Sequence, residues 1–132
     1  MNPKDIKNAL STVFKKHEDR VVFAYLFGSA VSGNMTTLSD IDIAVFLKKQ
    51  KPDDSFFDMK LSLYADFCRV LKRNDVDVVV LNTTINIMLL DEIIRYGTVL
   101  TDRNSNIRNE FECKVLHQFI DFKEQRIAVL GI

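Results

Sequence analysis

The amino-acid sequence predicts an α+β fold in which a small mixed β-sheet is flanked by about four helices. Val21 to Phe27 is an unbroken run of apolar, β-forming residues, which is typical of a strand buried on both faces. Asp40 to Leu47 opens with alternating Asp and Ile, which indicates a second strand. Apolar residues at helical spacing fill the stretches between such runs, so helices are expected to cover the sheet.

The first half of the chain is expected to form one helix and these two strands. Asn2 followed by Pro3 is a typical helix start, with Asn as the N-cap and Pro in the first turn. Gly28 and Ser29 end the first strand, and residues 30–39 are small and polar, as in a turn. The inward stripe of the helix is expected to comprise Ile6, Leu10, Val13, Phe14 and His17.

A second long helix and a third strand are expected next. The helix should follow the charged loop that holds Pro52 and end at about Arg73, with Asn74 as a left-handed stop. Residues 75–81 then have the composition of a buried strand. The inward stripe of this helix is expected to comprise Phe57, Leu61, Tyr64, Cys68 and Leu71.

Two more helices are expected to complete the chain. A short one covers residues 85–95 and is closed by Gly97, and a brief edge strand follows at 99–100. The last helix covers about 104–129. Its inward residues are expected to be Ile107, Phe111, Val115, Phe119 and Phe122.

Composition narrows the class of protein. With 132 residues, of which 47% are hydrophobic, the chain is expected to form a single domain over residues 1–132. Its 18 basic and 18 acidic residues give a formal net charge of zero, which argues against direct nucleic-acid binding. No secretory leader or long apolar span is visible, so a cytoplasmic location without membrane contact is expected. Cys68 and Cys113 lack metal-binding spacing and are expected to be reduced thiols.

Several polar features are expected to meet at one end of the sheet. Gly28 and Ser29 follow the first strand, whereas Asp40 and Asp42 open the second. If these strands are antiparallel neighbours, both features lie at the same end. The third strand follows a helical crossover, which is the usual connection to a parallel partner, so its acidic start returns to that end too.

The carboxylates suit a metal site. Asp40 and Asp42 are two apart in a strand and point to one face, about 6–7 Å from each other. Alone, such a pair also fits a solvent-facing strand. A third carboxylate would allow two Mg²⁺ ions about 4 Å apart, the arrangement used in phosphoryl transfer. Asp75 and Asp77 share a face, and the deeper position of Asp77 favours it. The turn at Gly28 and Ser29 is suited to holding a phosphate.

These residues carry a resemblance to a known family. Gly28-Ser29, a ten-residue spacer and Asp40-x-Asp42 resemble the GSx10DxD signature of the DNA polymerase β-like nucleotidyltransferase superfamily. Ser39 before the first Asp and the later Asp-Val-Asp strand add to the likeness. The length and the stretch GTVLTDRNSNIRNEFE are similar to the minimal nucleotidyltransferases (MNT), whose members pair with HEPN proteins. The resemblance covers nearly the whole chain.

The resemblance implies an active site. It implies the nucleotidyltransferase fold and transfer of a nucleotide from ATP, with two Mg²⁺ ions held by Asp40, Asp42 and Asp77 as the catalytic residues. Asp77 would also contact the attacking hydroxyl. The residues implied to bind the nucleotide are Gly28, Ser29 and Ser39, with Ser29 on a phosphate.

The resemblance also implies a partner. MNT antitoxins bind a HEPN ribonuclease toxin and adenylylate one of its tyrosines, so a cognate HEPN toxin and a nucleoside triphosphate are the expected partners. The resemblance favours an enzyme that moves AMP from ATP to a toxin hydroxyl and so neutralises the toxin. The oligomeric state, homo- or hetero-oligomer, is left open.

One departure from the family pattern keeps alternatives open. Many members read GSxxRG, and here Ser32 occupies the arginine position. Lys48, Lys49 or a partner residue is a candidate replacement for the missing cation; otherwise catalysis would be weak. The alternatives are an antitoxin that acts by binding alone, a nucleotide sensor without turnover, and a small-molecule (antibiotic-type) nucleotidyltransferase.

Overall fold

The computed structural model describes residues 2–33 and 39–130, and within these ranges it contains four strands and five helices. The predicted order of elements is confirmed, with a one-turn helix added after the first strand. In chain order the elements are α1 (Pro3–Lys16), β1 (Val21–Phe27), α2 (Ser29–Ser32), β2 (Ile41–Leu47), α3 (Phe56–Leu71), β3 (Val76–Val80), α4 (Ile87–Tyr96), β4 (Thr98–Asp102) and α5 (Ser105–Leu130).

The four strands form one mixed sheet in the order β3-β2-β1-β4. β1 is antiparallel to both of its neighbours, β2 and β4, whereas β2 and β3 are parallel. The predicted strand pairing is therefore confirmed. It brings the end of β1 and the starts of β2 and β3 together, and we call this side of the molecule the carboxylate end of the sheet, after Asp40, Asp42 and Asp77.

Helices cover both faces of the sheet, and β1 lies in the middle of the packing. All seven residues of β1 are buried, which explains its unbroken apolar sequence. α1 and α3 pack on one face, while α4 and α5 pack on the other. The core residues of these helices are Ile6, Leu10, Phe14, Met59, Leu63 and Phe67 on the first face, and Leu90, Ile93 and Val115 on the second.

The start of α1 is as predicted. The Asn2 side chain accepts a hydrogen bond from the Asp5 amide, and the Asp5 carboxylate accepts one from the Asn2 amide, which completes a capping box. The predicted inward stripe of this helix is buried, including His17 at its C-terminal end. α1 is therefore placed by its own sequence signals.

The predicted inward face of α3 is wrong. Phe57 is 64% exposed and Leu61 is 48% exposed, and Tyr64 is exposed too. This helix has apolar residues on two faces. The face that packs on the sheet begins at Met59, two residues after Phe57. The buried residues are Met59, Leu63, Asp66, Phe67 and Leu71, of which only Leu71 was predicted.

Two predicted helix ends also differ from the structure. α3 ends at Leu71, and the next residue, Lys72, adopts the left-handed conformation expected for Asn74. The Arg73 amide then donates to the Cys68 carbonyl. α4 does end at Gly97, but the backbone of this glycine is extended (φ −71°). The left-handed residue therefore comes two positions earlier than predicted, and Arg73 lies at the carboxylate end, where it bonds the Ser39 carbonyl.

α5 extends beyond the face of the sheet on which it packs. Phe111 packs against Phe23 and Phe46, with ring centroids 5.7 and 5.4 Å away, and Val115 is buried. The rest of the predicted stripe is only partly correct, because Phe119 is half-buried, whereas Ile107, Phe122 and all of residues 120–129 are exposed. A helix of 26 residues spans about 39 Å, more than a sheet of five- to seven-residue strands. Among the helices in the described ranges, α5 included, none combines the length and apolarity needed to cross a membrane.

A polar network fixes α5 to the sheet. The buried Tyr25 hydroxyl donates to Glu112 at 2.7 Å, and Arg108 bonds both Glu112 and Asp102. Burial and the hydrogen bond to Glu112 raise the pKa of Tyr25 well above its ordinary value, so the phenol stays protonated as a donor. This network joins the middle of β1 to α5 and to Asp102, which lies at the end of β4 farther from the carboxylates.

A second polar cluster joins α1 to α3. Asp66 is buried in α3 and accepts hydrogen bonds from His17 Nε2 at 2.7 Å, Arg69 at 2.7 Å and Lys16 at 3.1 Å. These bonds, the one from His17 above all, hold the pKa of Asp66 well below its usual range. The ionised carboxylate thus stabilises the fold at neutral pH, and this contribution is lost as the pH falls below about 4, the ordinary pKa of Asp.

Replacing Asp66 by Ala should lower the free energy of unfolding by about 2 kcal/mol at pH 7, because His17 then lacks its acceptor in a buried position. Urea unfolding followed by circular dichroism measures this. Arg69→Ala is the matched control, since the Arg69 side chain is 67% exposed and its loss should cost less than about 1 kcal/mol. Equal losses in the two variants would contradict the assignment.

Candidate active site

Two of the predicted carboxylates lie on neighbouring strands at matching positions. Asp42 of β2 is the direct partner of Asp77 in β3, so the two residues are about 5 Å apart across the parallel pair. Asp42 alternates with Ala44 and Phe46, which pack on the α4–α5 face, and both carboxylates are therefore on that face. Adjacent like charges of this kind are unfavourable unless a cation offsets them.

Gly28 borders this pair. It directly follows Phe27, the β1 partner of Asp42, and has a positive φ of 74° with ψ at −146°, a conformation that favours glycine. A Cβ at this position would overlap Asp42 Oδ2. The glycine is thus required by both the turn and the close approach of the carboxylate.

Ser29 begins α2 directly after Gly28. The single turn is closed by the Val31 and Ser32 amides, which donate to the Gly28 carbonyl at 3.1 Å, and no side chain caps its start. The predicted phosphate-binding residues Gly28 and Ser29 are therefore next to Asp42. The segment 34–38, between α2 and Ser39, lies outside the described residues.

The electrostatics of Asp42 reflect its neighbours. Burial is the main reason why the pKa of Asp42 rises to about 6, and the charges of Asp77, Asp40 and Glu92 raise it further. Glu92 belongs to α4, so a carboxylate from the helical layer adds to the negative potential of the site. This part of the molecule therefore concentrates negative charge.

Asp40 is exposed and immediately precedes β2, and its neighbours on both sides are bonded. The Ser39 carbonyl accepts a hydrogen bond from Arg73 Nη2, and the Ile41 amide donates to the Asp75 carbonyl at 2.9 Å. The backbone of Asp40 is thus held between two contacts. Its side chain forms no ion pair with the cations of the described ranges.

Asp75 and Asp77, which sequence alone could not separate by geometry, have different surroundings. Asp75 forms a bidentate ion pair with Arg73, with N–O distances of 2.5 and 2.6 Å, and this pairing lowers its pKa. Asp77 is exposed and faces Asp42. It also lines a cleft of about 420 Å³ beside β3, with Phe57 and Lys60. A larger cleft of about 680 Å³ near the other end of β2 contains none of the predicted site residues.

The donor set suits a hard divalent cation. Asp40, Asp42 and Asp77 supply only oxygen atoms, and no Lys or Arg of residues 2–33 and 39–130 forms an ion pair with them. As the side chains stand, no three acidic, His or Cys groups within the described ranges are close enough together to hold one ion. A bound cation would have to draw Asp40 towards the Asp42–Asp77 pair.

The candidate replacements for the missing loop cation lie elsewhere. Ser32 is exposed at the end of α2, whereas Lys48 and Lys49 follow the far end of β2, about 20 Å from Asp42. The Lys48 amide donates to the Arg20 carbonyl, and Lys49 lies over the Phe56 ring. Within this chain, these lysines do not provide the cation.

Comparison with known proteins identifies the family. Residues 8–106 match the family model described as "Polymerase beta, Nucleotidyltransferase". The chain belongs to this nucleotidyltransferase family. The family prediction made from the GSx10DxD pattern is therefore confirmed. No curated protein matches the chain significantly.

Solved structures share the nucleotidyltransferase fold. A chain of a toxin–antitoxin structure with AMP-PNP is 22% identical, with a TM-score of 0.74, and the match covers 95% of each chain. A chain from tri-AMPylated HEPN toxin in complex with MNT antitoxin, from Shewanella oneidensis, is 20% identical with a TM-score of 0.68, over 97% of this chain and 95% of that one. The MntA-HepT toxin–antitoxin structure matches at 20% identity and a TM-score of 0.68, over 97% and 96%. These likenesses confirm the predicted fold.

Sequence reasoning missed two charged residues near the candidate site. Arg73 is predicted only as the approximate end of a helix, whereas the structure places it after α3, in a bidentate ion pair with Asp75. For Glu92 the sequence held no comparable signal, because only the packing of α4 on the sheet brings it towards Asp42. Both residues reach the site from elements outside the GSx10DxD segment.

Replacing Asp42 by Asn should stabilise the metal-free protein by about 1 kcal/mol above pH 6, after allowance for solvent screening. The pKa of Asp42 is about 6 in the folded protein and about 4 when unfolded, so its ionisation opposes folding above pH 6. Below about pH 4 both states are protonated, and the gain should vanish. Thermal unfolding in EDTA across this pH range measures it, with the exposed loop variant Asp53→Asn as the control. A gain that persists at pH 4 would contradict this account.

Replacing Gly28 by Ala should weaken Mn²⁺ binding by about 10-fold or more, because the added Cβ displaces the Asp42 carboxylate. Gly33→Ala is a matched control, since Gly33 also has a positive φ (81°) but no described residue within 4 Å of the place where a Cβ would lie. Both variants should lose about 1–3 kcal/mol of stability from backbone strain. Only Gly28→Ala should lose metal affinity, measured by electron paramagnetic resonance; equal affinities would exclude the displacement.

Proposed function

We propose that this nucleotidyltransferase is an antitoxin that transfers AMP from ATP to a hydroxyl of a cognate HEPN ribonuclease toxin and thereby neutralises it. The observation that carries the proposal is the Asp42–Asp77 couple beside Gly28, which has no cationic partner among the described residues. The fold is shared with a chain of a toxin–antitoxin structure and with a chain of an MNT–HEPN complex. One of those complexes contains a tri-AMPylated HEPN toxin, which supports AMP as the transferred group and the toxin as the acceptor.

Magnesium is the proposed metal. Asp40, Asp42 and Asp77 would hold it, in keeping with their oxygen donors and their uncompensated charge. Bound Mg²⁺ would neutralise phosphate charge and favour the ionised acceptor oxygen, the contribution that two-metal sites make to phosphoryl transfer. The burial and crowding of Asp42 favour such an ion, since a bound cation would offset both the burial and the repulsion that raise the pKa of this carboxyl.

The remaining steps are assigned to side chains and backbone of this chain. Gly28 leaves room for the Asp42 carboxylate, and the amides and hydroxyl at Ser29 would orient the triphosphate, with Ser39 near the nucleotide. The acceptor oxygen bonds to the α-phosphorus while the bond to the pyrophosphate oxygen breaks. Asp77, at the open edge of the sheet, would orient the acceptor hydroxyl and take its proton. A toxin tyrosine is the acceptor that we favour, and the cytoplasm, where ATP is available, is the expected location.

A second candidate function is neutralisation by binding alone. Two observations favour it: position 32 is a serine where many family members have an arginine, and Lys48 and Lys49 lie far from the carboxylates. In that case the fold would serve as a binding surface for the toxin and turnover would be slow. The two functions differ in whether the carboxylates are needed for rescue of cells from the toxin.

Incubation of the protein with its HEPN partner, Mg²⁺ and ATP labelled in the α-phosphate should place label on the partner. Asp42→Asn should reduce labelling by about 100-fold or more, because the transition state loses its charge stabilisation. Asp53→Asn, in the exposed 48–55 loop, should label normally. Absence of label on the partner, or undiminished labelling by Asp42→Asn, would refute the transferase proposal.

Toxicity rescue distinguishes the second candidate. An Asp40→Asn/Asp42→Asn double variant that binds the toxin normally should fail to protect cells if transfer is required. Full protection by this variant, with no label on the toxin, would instead establish neutralisation by binding.

A further inference from the structure

Arg73 lies at the carboxylate end of the sheet, in the turn between α3 and β3. Its side chain is only 19% exposed, and its guanidinium bonds both oxygens of Asp75 through Nε and Nη2. The same Nη2 also donates to the Ser39 carbonyl at 2.5 Å. One side chain therefore joins the start of β3 to the residue that precedes Asp40.

These contacts immobilise the backbone around Asp40 from both sides. On one side the Ser39 carbonyl is bound by Arg73, and on the other the Ile41 amide is bound by the Asp75 carbonyl at 2.9 Å. Arg73 also bonds the side chain of that same Asp75. Asp40 is exposed, and the Arg73–Asp75 pair therefore contributes to fixing the position of its backbone.

The positive charge of Arg73 is paired with Asp75 and not with Asp40. The guanidinium is close enough for the Asp40 charge to help raise the pKa of Arg73, after the larger effect of Asp75. Yet Arg73 forms its ion pair with Asp75, and Asp40 has none with the cations of the described ranges. Asp75 therefore keeps the guanidinium from neutralising a carboxylate that a metal ion would need.

We propose that Arg73 is a positioning residue for the metal site: it fixes the backbone on both sides of Asp40 through Ser39 and Asp75 without pairing with Asp40, so that only the Asp40 side chain has to move towards Asp42 and Asp77 when a cation binds. The proposal rests on the function proposed above, because it assigns Asp40 to metal binding. Arg73 contacts no reacting atom in this arrangement. The planar guanidinium of Arg73 can bond both oxygens of Asp75 and the Ser39 carbonyl at once, which a lysine ammonium does not reproduce.

The test is Mn²⁺ binding to Arg73→Lys, followed by electron paramagnetic resonance in the absence of ATP. The variant keeps the charge but loses the bidentate bond and the contact to Ser39, so its Kd should rise about 10-fold or more. In the labelling assay, a higher Mg²⁺ concentration should restore transfer by Arg73→Lys, whereas it should not restore transfer by Asp42→Asn. A purely structural role would lower thermal stability and leave the Mn²⁺ affinity unchanged.

Arg108→Lys is the matched control. Arg108 is similarly covered (23% exposed) and also bonds two acidic residues, but it lies at the opposite end of the sheet. This variant should lose thermal stability and bind Mn²⁺ within about twofold of the wild type. If Arg73→Lys does not fold, Asp75→Asn decides, since it retains the backbone bond to Ile41 while releasing the guanidinium towards Asp40, and it should weaken Mn²⁺ binding as well.

The outcomes separate the two proposals. A folded Arg73→Lys, or failing that Asp75→Asn, with the wild-type Mn²⁺ affinity would overturn the positioning role and leave the proposed transferase intact. Wild-type protein that binds Mn²⁺ no better than Asp42→Asn would overturn metal binding at this site, and with it both proposals.

Discussion

Electrostatic repulsion at the carboxylate end is the constraint on which the rest of the structure depends. Parallel pairing of β2 and β3 puts Asp42 beside Asp77, and Gly28 leaves just enough space for the Asp42 carboxylate. Burial and neighbouring negative charge oppose the ionised state of Asp42. The stability lost here has to be supplied elsewhere, and the fully buried strand β1, which pairs directly with β2, contributes to it.

The polar interactions of the molecule are divided accordingly. Asp66 and the Tyr25–Glu112–Arg108 network each form several hydrogen bonds, and they fix helices to each other or to the sheet. Asp42 and Asp77, in contrast, lack a cationic partner among the described residues. Arg73 belongs to neither group. Its guanidinium forms an ion pair with Asp75 and also donates to the carbonyl of Ser39, the residue before Asp40. Such division is expected where structural carboxylates must stay paired and functional ones must stay free.

Much of this architecture was predictable from short-range patterns. The apolar run 21–27 and the Asp-Ile alternation at 40–43 are local patterns that predict strands. The crossover helix predicts that β3 is parallel to β2. The proximity of Gly28, Asp42 and Asp77 therefore followed from the predicted strand pairing. The inward face of α3 was not predictable in this way, since both of its faces are apolar and only the sheet selects Met59 over Phe57. The contributions of Arg73 and Glu92 depend on how helices end and pack, which a spacing motif does not encode.

The edge position of β3 has a consequence for association between molecules. Its sequence, VDVVV, has high β-propensity and no proline, and the outer side of an edge strand offers unpaired backbone groups to other chains. Asp77 is the one charged residue within that strand. The same carboxylate that faces Asp42 therefore also discourages strand addition, so that a neutral residue at this position would expose the protein to self-aggregation as well as alter its chemistry.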